Sequence, residues 1–301
     1  MLYSPIAIFL FNRPDKTYNC LKSISLNNGF IKSPLYIFID GPKNKKDEIQ
    51  IRKIKRIIEE FNFENIKEVI ISEFNIGLAK SIFNGVNRVL KNHETIIVLE
   101  DDLVVSKYFL DYMNNCLQKY ISENIYQISG YVWGDSIKKQ TNFPYLIPNI
   151  NSWGWATWKS KWINFELGKI KNENLKNFDR KTIYDFNLKN SYNYFKILKK
   201  HIRGKVDSWA IQWYYFVFIN KGYTIYPHTS LVLNKGMDGT GTHTLSSKFN
   251  DRLDQEVNIS YPKNLSFESN IFDMFCKDLS VANNETLFKK IILRVLRFLQ
   301  V

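Results

Sequence analysis

The sequence is poor in the features that mark secreted, membrane-spanning or disulfide-stapled proteins. Of 301 residues only three are cysteines. Cys20, Cys116 and Cys276 lie far apart, with no C-x-x-C spacing, so we expect reduced thiols and a cytoplasmic location. No apolar run approaches the roughly 20 residues that span a bilayer, and the N-terminal IAIFLF lacks the basic lead-in and cleavage site of a signal peptide. We therefore expect no segment that crosses a membrane.

Acidic residues are scarce relative to basic ones, 29 against 42, which leaves a formal net charge of +13. Such an excess favours anionic partners, among them nucleic acid, lipid headgroups and phosphorylated substrates. The chain has no zinc-finger spacing, ribonucleoprotein motif or long basic arm, so we do not expect nucleic acid to be the partner. Its 45% hydrophobic content supports one large core or two modest ones.

Strand-like and helix-like segments alternate through the first part of the chain. In order they read SPIAIFLF, DKTYNCLKSI, LYIFID, KDEIQIRKIKRIIEEF, IKEVIIS, GLAKSIFNGVNRVL and TIIVLE. This βαβαβαβ order predicts an α/β fold with a mainly parallel central sheet flanked by helices. A polar stretch near residues 164–190, rich in Asn and Lys, is typical of a mobile insertion.

Each predicted strand ends in polar or turn-forming residues. These ends are Asn12 to Pro14, Asp40 to Pro42, Glu73 to Gly77 and Glu100 to Asp102. Ligands of open α/β sheets bind outside the carboxyl ends of the strands. We therefore expect the four ends to converge on one crevice.

Three consecutive acids, Glu100, Asp101 and Asp102, follow the apolar run IIVL. In one interpretation they form a solvated junction or cap a helix that begins near Ser106. In the other they bind Mn²⁺ or Mg²⁺, ions that take oxygen ligands and usually need one or two carboxylates together with substrate phosphates. Both interpretations stay open on these residues alone.

Several motifs, in order over roughly residues 5–243, resemble those of one enzyme family. They are IAIFLFNRPDK, FIDG, GLAKSIFNGVNRVL, IVLEDDLVVSKYF, QISGYVWGD, WGWATW, VDSWAIQWYY and YPHTSLVLNKGMDGTGTH. The chain resembles a GT-A (Rossmann-like) glycosyltransferase, and within that fold the N-acetylglucosaminyltransferase I type and its bacterial relatives. The acidic triplet with its following apolar residues and Phe109 is the most specific of these motifs.

This resemblance implies that residues at the strand ends hold a nucleotide-sugar donor. The implied set is Phe11 and Arg13 beside the nucleotide, Asp40 on the base, Glu100 and Asp101 on the donor sugar and ribose, and Asp102 on Mn²⁺ or Mg²⁺. The side-chain chemistry agrees, because a carboxylate accepts from an imide N–H and a guanidinium donates several bonds to an anion.

Two glycine-containing segments are implied to approach the phosphates. Gly77, Ala79 and Lys80 open a predicted helix whose amides face the nucleotide, with Lys80 among the donor-binding residues; an ordinary helix start is the alternative. The glycine-rich NKGMDGTGTH, residues 234–243, resembles the family's late loop that closes over the diphosphate. His243 would ligate the metal or bond a phosphate, and the alternative is a surface histidine.

Transfer of a sugar to a hydroxyl with inversion needs a base within hydrogen-bond reach of that hydroxyl. Asp207 in KVDSWAIQW resembles the acid that precedes a Trp in the family, although the family has two adjacent acids where this chain has Asp207 and Ser208. We expect Asp207 to be the catalytic base, with Asp135 and Asp238 as rivals. A helix N-cap is its alternative or additional role.

Three tryptophans, Trp153, Trp155 and Trp158, lie in NSWGWATWKS. Sugar rings place their apolar faces on aromatic side chains, so we expect Trp153 and Trp155 to bind the acceptor. A core position is the alternative for all three, because large aromatic residues are mostly packed.

Together these features predict a metal-dependent, inverting glycosyltransferase that moves a sugar from a nucleotide sugar, chiefly a UDP-sugar, to a hydroxyl of a bacterial surface glycan or lipid-linked oligosaccharide. Residues 1–125 would bind the donor. Residues 126–260 would supply the acceptor side and the base in the same GT-A domain, and residues 261–301 a C-terminal extension. The alternatives are a sugar-phosphate nucleotidyltransferase, which would want a glycine-rich loop where this chain has NRPDK, and a non-catalytic glycan-binding protein.

The C-terminal TLFKKIILRVLRFLQV predicts an amphipathic helix with Lys290, Arg294 and Arg297 on one flank and apolar residues opposite. Such a helix can bind an anionic membrane interface, which would hold the protein peripherally on the inner face of the cell membrane. The alternative is packing on the protein body or on a second subunit.

We predict that the full-length protein floats with anionic liposomes at low salt and less at high salt, because salt screens the cations. Deleting residues 285–301 should abolish flotation and spare activity on a soluble acceptor. A full-length protein that ignores the liposomes, or a truncation that unfolds, would show that the helix is structural.

Overall fold

The computed structural model describes residues 3–238, residue 253 and residues 256–299, without side-chain placement for residues 237, 238 and 285–299. The described strands are β1 (Ile6–Leu10), β2 (Leu35–Ile39), β3 (Ile66–Ile71), β4 (Thr95–Glu100), β5 (Leu103–Val105), β6 (Ile125–Ser129), β7 (Tyr145–Ile147), β8 (Trp155–Trp158), β9 (Tyr223–Tyr226) and β10 (Val232–Asn234). The α-helices are α1 (Pro14–Ser25), α2 (Lys45–Phe61), α3 (Leu78–Leu90), α4 (Phe109–Lys119), α5 (Lys159–Trp162), α6 (Arg180–Phe186), α7 (Tyr194–Ile202), α8 (Trp209–Ile219) and α9 (Ser269–Leu299).

One large sheet runs through both halves of the chain, in the strand order β3-β2-β1-β4-β8-β6-β9-β7, while β10 pairs with β5. The neighbours β3, β2, β1 and β4 are parallel. β8 is antiparallel to β4 and to β6, β9 is parallel to β6, and β7 is antiparallel to β9. All strands of the large sheet except β7 and β8 therefore share one direction, which confirms the mainly parallel α/β sheet predicted from the sequence.

The predicted βαβαβαβ order is confirmed from β1 to β4. Every residue of β1 is buried, as expected for a central strand that helices cover on both faces. Pro14 opens α1, where its missing N–H would have no helical partner anyway. Asn44 caps α2 by accepting from Asp47 N–H over 3.0 Å, and Gly77 begins α3.

Two apolar clusters lie on opposite faces of the sheet. Alternate residues of β1 point to each, so that Ile8 belongs to one cluster and Phe9 to the other. The cluster of Ile8 includes buried side chains of α1, α2 and α4, and the cluster of Phe9 includes those of α3 and α8. With helices on both faces, the polar strand ends are the part of the sheet left open for a ligand.

The polar stretch at residues 164–190 is not a mobile insertion, so that prediction is wrong. It contains α6, and Phe186 at the end of that helix is fully buried. The Phe186 ring stacks on Tyr214 with 4.5 Å between ring centroids. Phe178 stacks on Phe195 over 5.2 Å. A few apolar side chains attach the stretch to the core, whereas its Asn and Lys content reflects only its outer surface.

Helix α9 begins far upstream of the predicted amphipathic stretch. Ile271, Phe275 and Leu279 on its first half are buried in a third cluster with Tyr145 and Tyr226. Its helical backbone continues to Leu299, so the predicted helix forms. The side chains expected to face a membrane lie outside the described residues, and among those described no helix is long and apolar enough to span a membrane.

Candidate active site

The four polar strand ends converge on one cleft, as the sequence predicts. The cleft encloses about 450 Å³, within the range of about 300–1,000 Å³ usual for small-molecule sites. Asn75, Asp40, Phe11 and Asp102 line it after β3, β2, β1 and β4. Because this is also the order of the strands in the sheet, the cleft is a groove along one sheet edge. Trp153 and the start of α8 form its other wall.

Arg13 joins the ends of β1 and β4 through its guanidinium. Its Nη2 is paired with Asp101 Oδ1, and its Nε donates to Asp101 Oδ2 over 3.2 Å. Its Nη1 donates to Asp102 Oδ2 over 2.9 Å. Phe11 N–H also donates to Asp101 Oδ2, over 3.4 Å. Since a guanidinium has five N–H donors, Arg13 keeps donors for an anion after holding both carboxylates.

Burial and the neighbouring charges shift the pKa values of carboxyl groups in the acidic triplet. Burial raises the pKa of Asp101 to about 6, against the opposing charge of Arg13. Burial and the neighbouring Asp102 and Asp101 charges raise the pKa of Glu100 to about 8. Burial lowers the pKa of Arg13, but the two aspartates outweigh it and the net shift is upward. A further cation would relieve the repulsion among these carboxylates.

Asp102 faces the cleft with a side chain that is 14% exposed. The residues after β10 hold it in place, since Lys235 N–H donates to the Asp102 backbone carbonyl over 2.8 Å. A Cβ on Gly236 would overlap Asp102 Oδ2, so glycine is needed beside the carboxylate. Asn234 Oδ1 accepts from Gly236 N–H over 2.7 Å, which fixes that backbone.

The oxygen atoms at this end of the cleft fit a hard divalent cation. Glu100, Asp102 and Asn234 all line it, and Mg²⁺ and Mn²⁺ prefer carboxylate and carbonyl ligands. In the part of the chain that the structure describes, no group of three or more His, Cys, Asp or Glu side chains is arranged to hold a metal alone. An ion bound at Asp102 would need further ligands from a substrate, as Mg²⁺ sites usually have. His243 lies outside the described residues, so its predicted contact stays a prediction.

Asp40 holds the loop that leads into α3. Its Oδ1 accepts from Gly41 N–H and Ile76 N–H, each over 2.9 Å. Its Oδ2 accepts from Asn75 Nδ2 over 2.9 Å and from Gly77 N–H over 3.0 Å. The carboxylate lies in the cleft wall, but these bonds use its accepting capacity. Its predicted contact with a base remains a prediction.

The N-terminus of α3 opens onto the cleft, with Gly77 at φ +82° in a conformation that favours glycine. Ala79 lines the cleft, but Lys80 is exposed and does not. The predicted donor contact of Lys80 therefore finds no support in its placement, because the first turn of the helix directs it outward. Lys43 lines the cleft instead, with Nζ 5.3 Å from the centre of the Phe11 ring. Lys43 lies just after the end of β2 in the sequence, and this position could have identified it as a cleft residue.

Asp207 lines the same cleft as the acids and is exposed. Its Oδ2 lies 3.9 Å from the position that a Cβ on Gly77 would occupy. Ser208 caps α8 by accepting from a first-turn amide over 3.4 Å, so the cap does not occupy the Asp207 carboxylate. Of its rivals, Asp135 is exposed away from the cleft lining, and the Asp238 side chain lies outside the described residues.

The tryptophans divide between the cleft and the core. Trp153 lines the cleft and packs edge-on against Tyr131, 4.5 Å between centroids. Trp155 is fully buried and stacks on Trp209 over 5.1 Å, which contradicts the prediction that it binds the acceptor. It lies in β8, a strand with neighbours on both sides and helices over its faces, and Trp158 is buried there too. Trp209, which the sequence did not single out, lines the cleft above Trp155.

Comparisons with known proteins give low similarity. No protein-family model and no curated protein sequence matches the chain. A mannosyltransferase from Pyrobaculum calidifontis, solved with GDP-Man and Mn²⁺, is 11% identical over 52% of this chain and 44% of that chain, with a TM-score of 0.38. GalNAc-T7, solved with UDP, GalNAc and Mn²⁺, is 12% identical over 78% of this chain and 43% of that chain, with a TM-score of 0.46.

A cytidylyltransferase from Leptospira borgpetersenii serovar Hardjo-bovis is 13% identical over 55% of this chain and 64% of that chain, with a TM-score of 0.34. Each of the three matches spans less than two thirds of the other protein. Similarity at this level does not assign a function, which has to be argued from the residues of the cleft.

Replacing Arg13 tests whether it neutralises the buried acid. Arg13→Met should destabilise the metal-free protein by about 3–5 kcal/mol at pH 8, because Asp101 loses its cation. A carboxyl whose folded-state pKa is raised, here to about 6, destabilises the folded protein as the pH rises through that pKa, so the loss should be smaller at pH 5. Urea unfolding at both pH values measures it.

The matched control is Arg88→Met, which breaks an exposed ion pair with Glu68 and should change stability by less than about 1 kcal/mol at either pH. Equal losses from both substitutions would contradict the neutralising role of Arg13.

Proposed function

We propose that the chain is a metal-dependent, inverting glycosyltransferase of the GT-A type that uses a nucleotide-sugar donor. The observation that carries this proposal is one cleft that brings together two chemically different groups. The acidic triplet at the end of β4 is paired with Arg13 from the end of β1, and the exposed Asp207 lies beside the start of α3. A donor bound along the sheet edge would then have its sugar between a charge-stabilising side and a basic side.

The sheet edge supplies a binding surface of suitable length. From β3 to β4 there are three strand spacings of about 4.8 Å each, roughly the extent of a nucleoside diphosphate. A planar base suits the end that has Phe11 and the loop after β3. The diphosphate suits the end that has Arg13 and Asp102, where the spare guanidinium donors and a divalent cation can meet its charge. Gly77 and Ala79 at the start of α3 line the same groove, and the Gly77 amide already donates to Asp40.

Asp102 would hold Mn²⁺ or Mg²⁺ together with donor oxygens, with Glu100 and Asn234 close by. The bound ion would offset the charge that develops on the departing diphosphate. Arg13 neutralises the charge of Asp101 and, through another nitrogen of the same guanidinium, donates to Asp102. The Asp102 carboxylate is therefore oriented before any ligand binds. Glycine at position 236 leaves the space that this orientation needs.

Asp207 would take the proton of the acceptor hydroxyl while that oxygen attacks the anomeric carbon and the bond from sugar to phosphate breaks. Attack from the side opposite the diphosphate inverts the anomeric centre, so Asp207, which lines the cleft, would act on that side of the bound sugar. Its carboxylate is not consumed by capping α8, because Ser208 performs that role.

The acceptor would enter beside Trp153, whose half-buried ring suits the apolar faces of sugars. We propose a glycan or lipid-linked oligosaccharide as acceptor. An amphipathic C-terminal segment that contacts an anionic membrane would bring the enzyme to a lipid-linked acceptor.

A nucleotidyltransferase would use the nucleotide groove but would leave Asp207 without a task, and the chain carries Arg13 where a phosphate-binding glycine-rich loop would follow β1. A non-catalytic glycan-binding protein would explain Trp153 but not the acidic triplet. Incubation with a radiolabelled nucleotide sugar, Mn²⁺ and candidate acceptors tests the proposal, because labelled glycan is expected. In a parallel incubation with a nucleoside triphosphate and a sugar 1-phosphate, release of pyrophosphate would favour the nucleotidyltransferase.

Asp102→Ala should abolish metal-dependent binding of UDP while the fold remains intact, because the residue lies at a strand end and not in the core. Isothermal titration of UDP with and without Mn²⁺ measures the loss, and circular dichroism checks the fold. If the variant binds UDP with unchanged affinity and metal dependence, Asp102 is not the metal ligand.

Asp207→Asn should retain donor binding and lower sugar transfer by roughly 10²-fold or more, the range expected when a general base is lost. Asp135→Asn is the matched control, since Asp135 is an exposed acid outside the cleft lining. Turnover of the Asp207 variant near that of the wild type would remove Asp207 from the catalytic role.

A further inference from the structure

The accepting capacity of Asp40 is filled by its own chain. An ionised carboxylate offers about four lone-pair positions, and Asp40 receives four hydrogen bonds of 2.9–3.0 Å from the segments at residues 41 and 75–77. The side chain is only 6% exposed. A ligand N–H could bond this carboxylate only by displacing one of those donors. Asp40 therefore positions the loop before α3 and does not present a free acceptor.

The neighbouring Asn75 does present a free hydrogen-bond acceptor, its side-chain oxygen. Its Nδ2 donates to Asp40 Oδ2 over 2.9 Å and to the Gly41 carbonyl over 3.0 Å, which uses both amide protons. Reversing the amide would place Oδ1 against these two acceptors, so the network decides its orientation. The Oδ1 atom has no hydrogen-bond partner among the described residues, and Asn75 is a half-buried residue that lines the cleft.

The position of Asn75 in the cleft determines which part of a bound nucleotide it would contact. It follows β3, at the far end of the groove from the acidic triplet that follows β4. A diphosphate bound at the triplet would place its nucleoside toward β1, β2 and β3. Phe11 offers an aromatic surface there, with Lys43 beside its ring. The group that reaches Asn75 is therefore the neutral base.

We propose that Asn75 selects the donor nucleotide through its Oδ1, and that Asp40 is a positioning residue that holds the Asn75 amide in this orientation. The inference rests on the proposed function and deepens it. Because both Asn75 protons are engaged, the side chain accepts but does not donate. It selects a base with a ring N–H, as in uracil or guanine, and rejects one with a bare ring nitrogen at that position, as in cytosine or adenine.

Direct contact between Asp40 and the base is the rival arrangement, and the two make opposite predictions for Asn75→Ala. If Asn75 reads the base, its loss removes the discrimination. If Asp40 reads the base, loss of Asn75 frees one lone pair on Asp40 and leaves discrimination intact or stronger.

The experiment measures binding of UDP, CDP, GDP and ADP by isothermal titration with Mn²⁺ present, for the wild type, Asn75→Ala, Asn75→Ser and Asp40→Asn. The wild type should bind UDP or GDP at least roughly tenfold more tightly than CDP and ADP, the effect of one hydrogen bond lost and one acceptor left unpaired. Asn75→Ala and Asn75→Ser should bring the preferred nucleotide down to the level of CDP while CDP binding stays unchanged.

Asp40→Asn tests the positioning role separately. With one accepting oxygen for several donors, it should weaken binding of all four nucleotides together and lower the melting temperature, because the start of α3 loses its support. Loss of UDP or GDP binding alone in this variant, or retained selectivity in both Asn75 variants, would overturn the inference. So would tighter binding of CDP than of UDP and GDP by the wild type.

Failure of the proposed function gives different results, since a protein without a nucleotide site would bind none of the four nucleotides, and a nucleotidyltransferase would release pyrophosphate from a nucleoside triphosphate. Circular dichroism of each variant identifies unfolding, and the serine variant keeps the test available if the alanine variant does not fold. Asn84→Ala, in a residue of α3 outside the cleft lining, is the matched control and should leave all four affinities unchanged.

Discussion

The ion pair between Arg13 and Asp101 is the interaction on which the cleft depends. Asp101 is 2% exposed, and an ionised carboxylate at such a position is costly unless a cation and hydrogen bonds compensate it. Arg13 reaches it from the end of the neighbouring strand and extends one more bond to Asp102. The pair therefore ties β1 to β4 where their polar ends meet, and it sets the direction of the acid that faces the ligand.

The remaining walls follow from backbone placement. Asp40 secures the loop after β3, so that Gly77 can start α3 at the cleft. Helices α3 and α8 pack on the same face of the sheet, which brings the residues before α8 opposite the strand ends. The stack of Trp155 beneath Trp209 supports that helix from the core. Asp207 is thus held over the groove by packing, although its own side chain makes no hydrogen bond to the described residues.

This arrangement separates the tasks of the cleft by strand. The β4 end concentrates negative charge for a cation and diphosphate, the β1 to β3 ends offer an aromatic surface and an amide acceptor, and α8 adds a carboxylate from the other side. Each task needs a different local environment, and adjacent strands supply them at spacings of about 4.8 Å. A single sheet edge can therefore hold a base, a diphosphate and a sugar in line without a separate domain for each.

The order of strands and helices, and the meeting of the polar strand ends, could be read from the sequence. Apolar periodicity determines the elements, and parallel strands place their carboxyl ends at one edge. The resemblance to a known family, and not the periodicity, singled out Arg13, Asp102 and Asp207, and all three line one cleft. The prediction from composition failed for the stretch at residues 164–190, because the buried rings of Phe165 and Phe186 outweigh many exposed polar side chains.

Only the tertiary structure decided which atoms of these residues are available. Trp153 and Trp155 have the same chemistry in sequence, but strand neighbours enclose Trp155, whereas Trp153 is half-buried at the cleft. Lys80 was expected at the donor but is exposed outside the cleft lining, whereas Lys43, which was not predicted, lines the cleft from the loop after β2. The side-chain oxygen atoms of Asp40 accept hydrogen bonds from backbone N–H groups of the loop before α3. Composition and spacing specify side-chain types along the chain, whereas burial and hydrogen bonding depend on residues distant in sequence that only folding brings into contact.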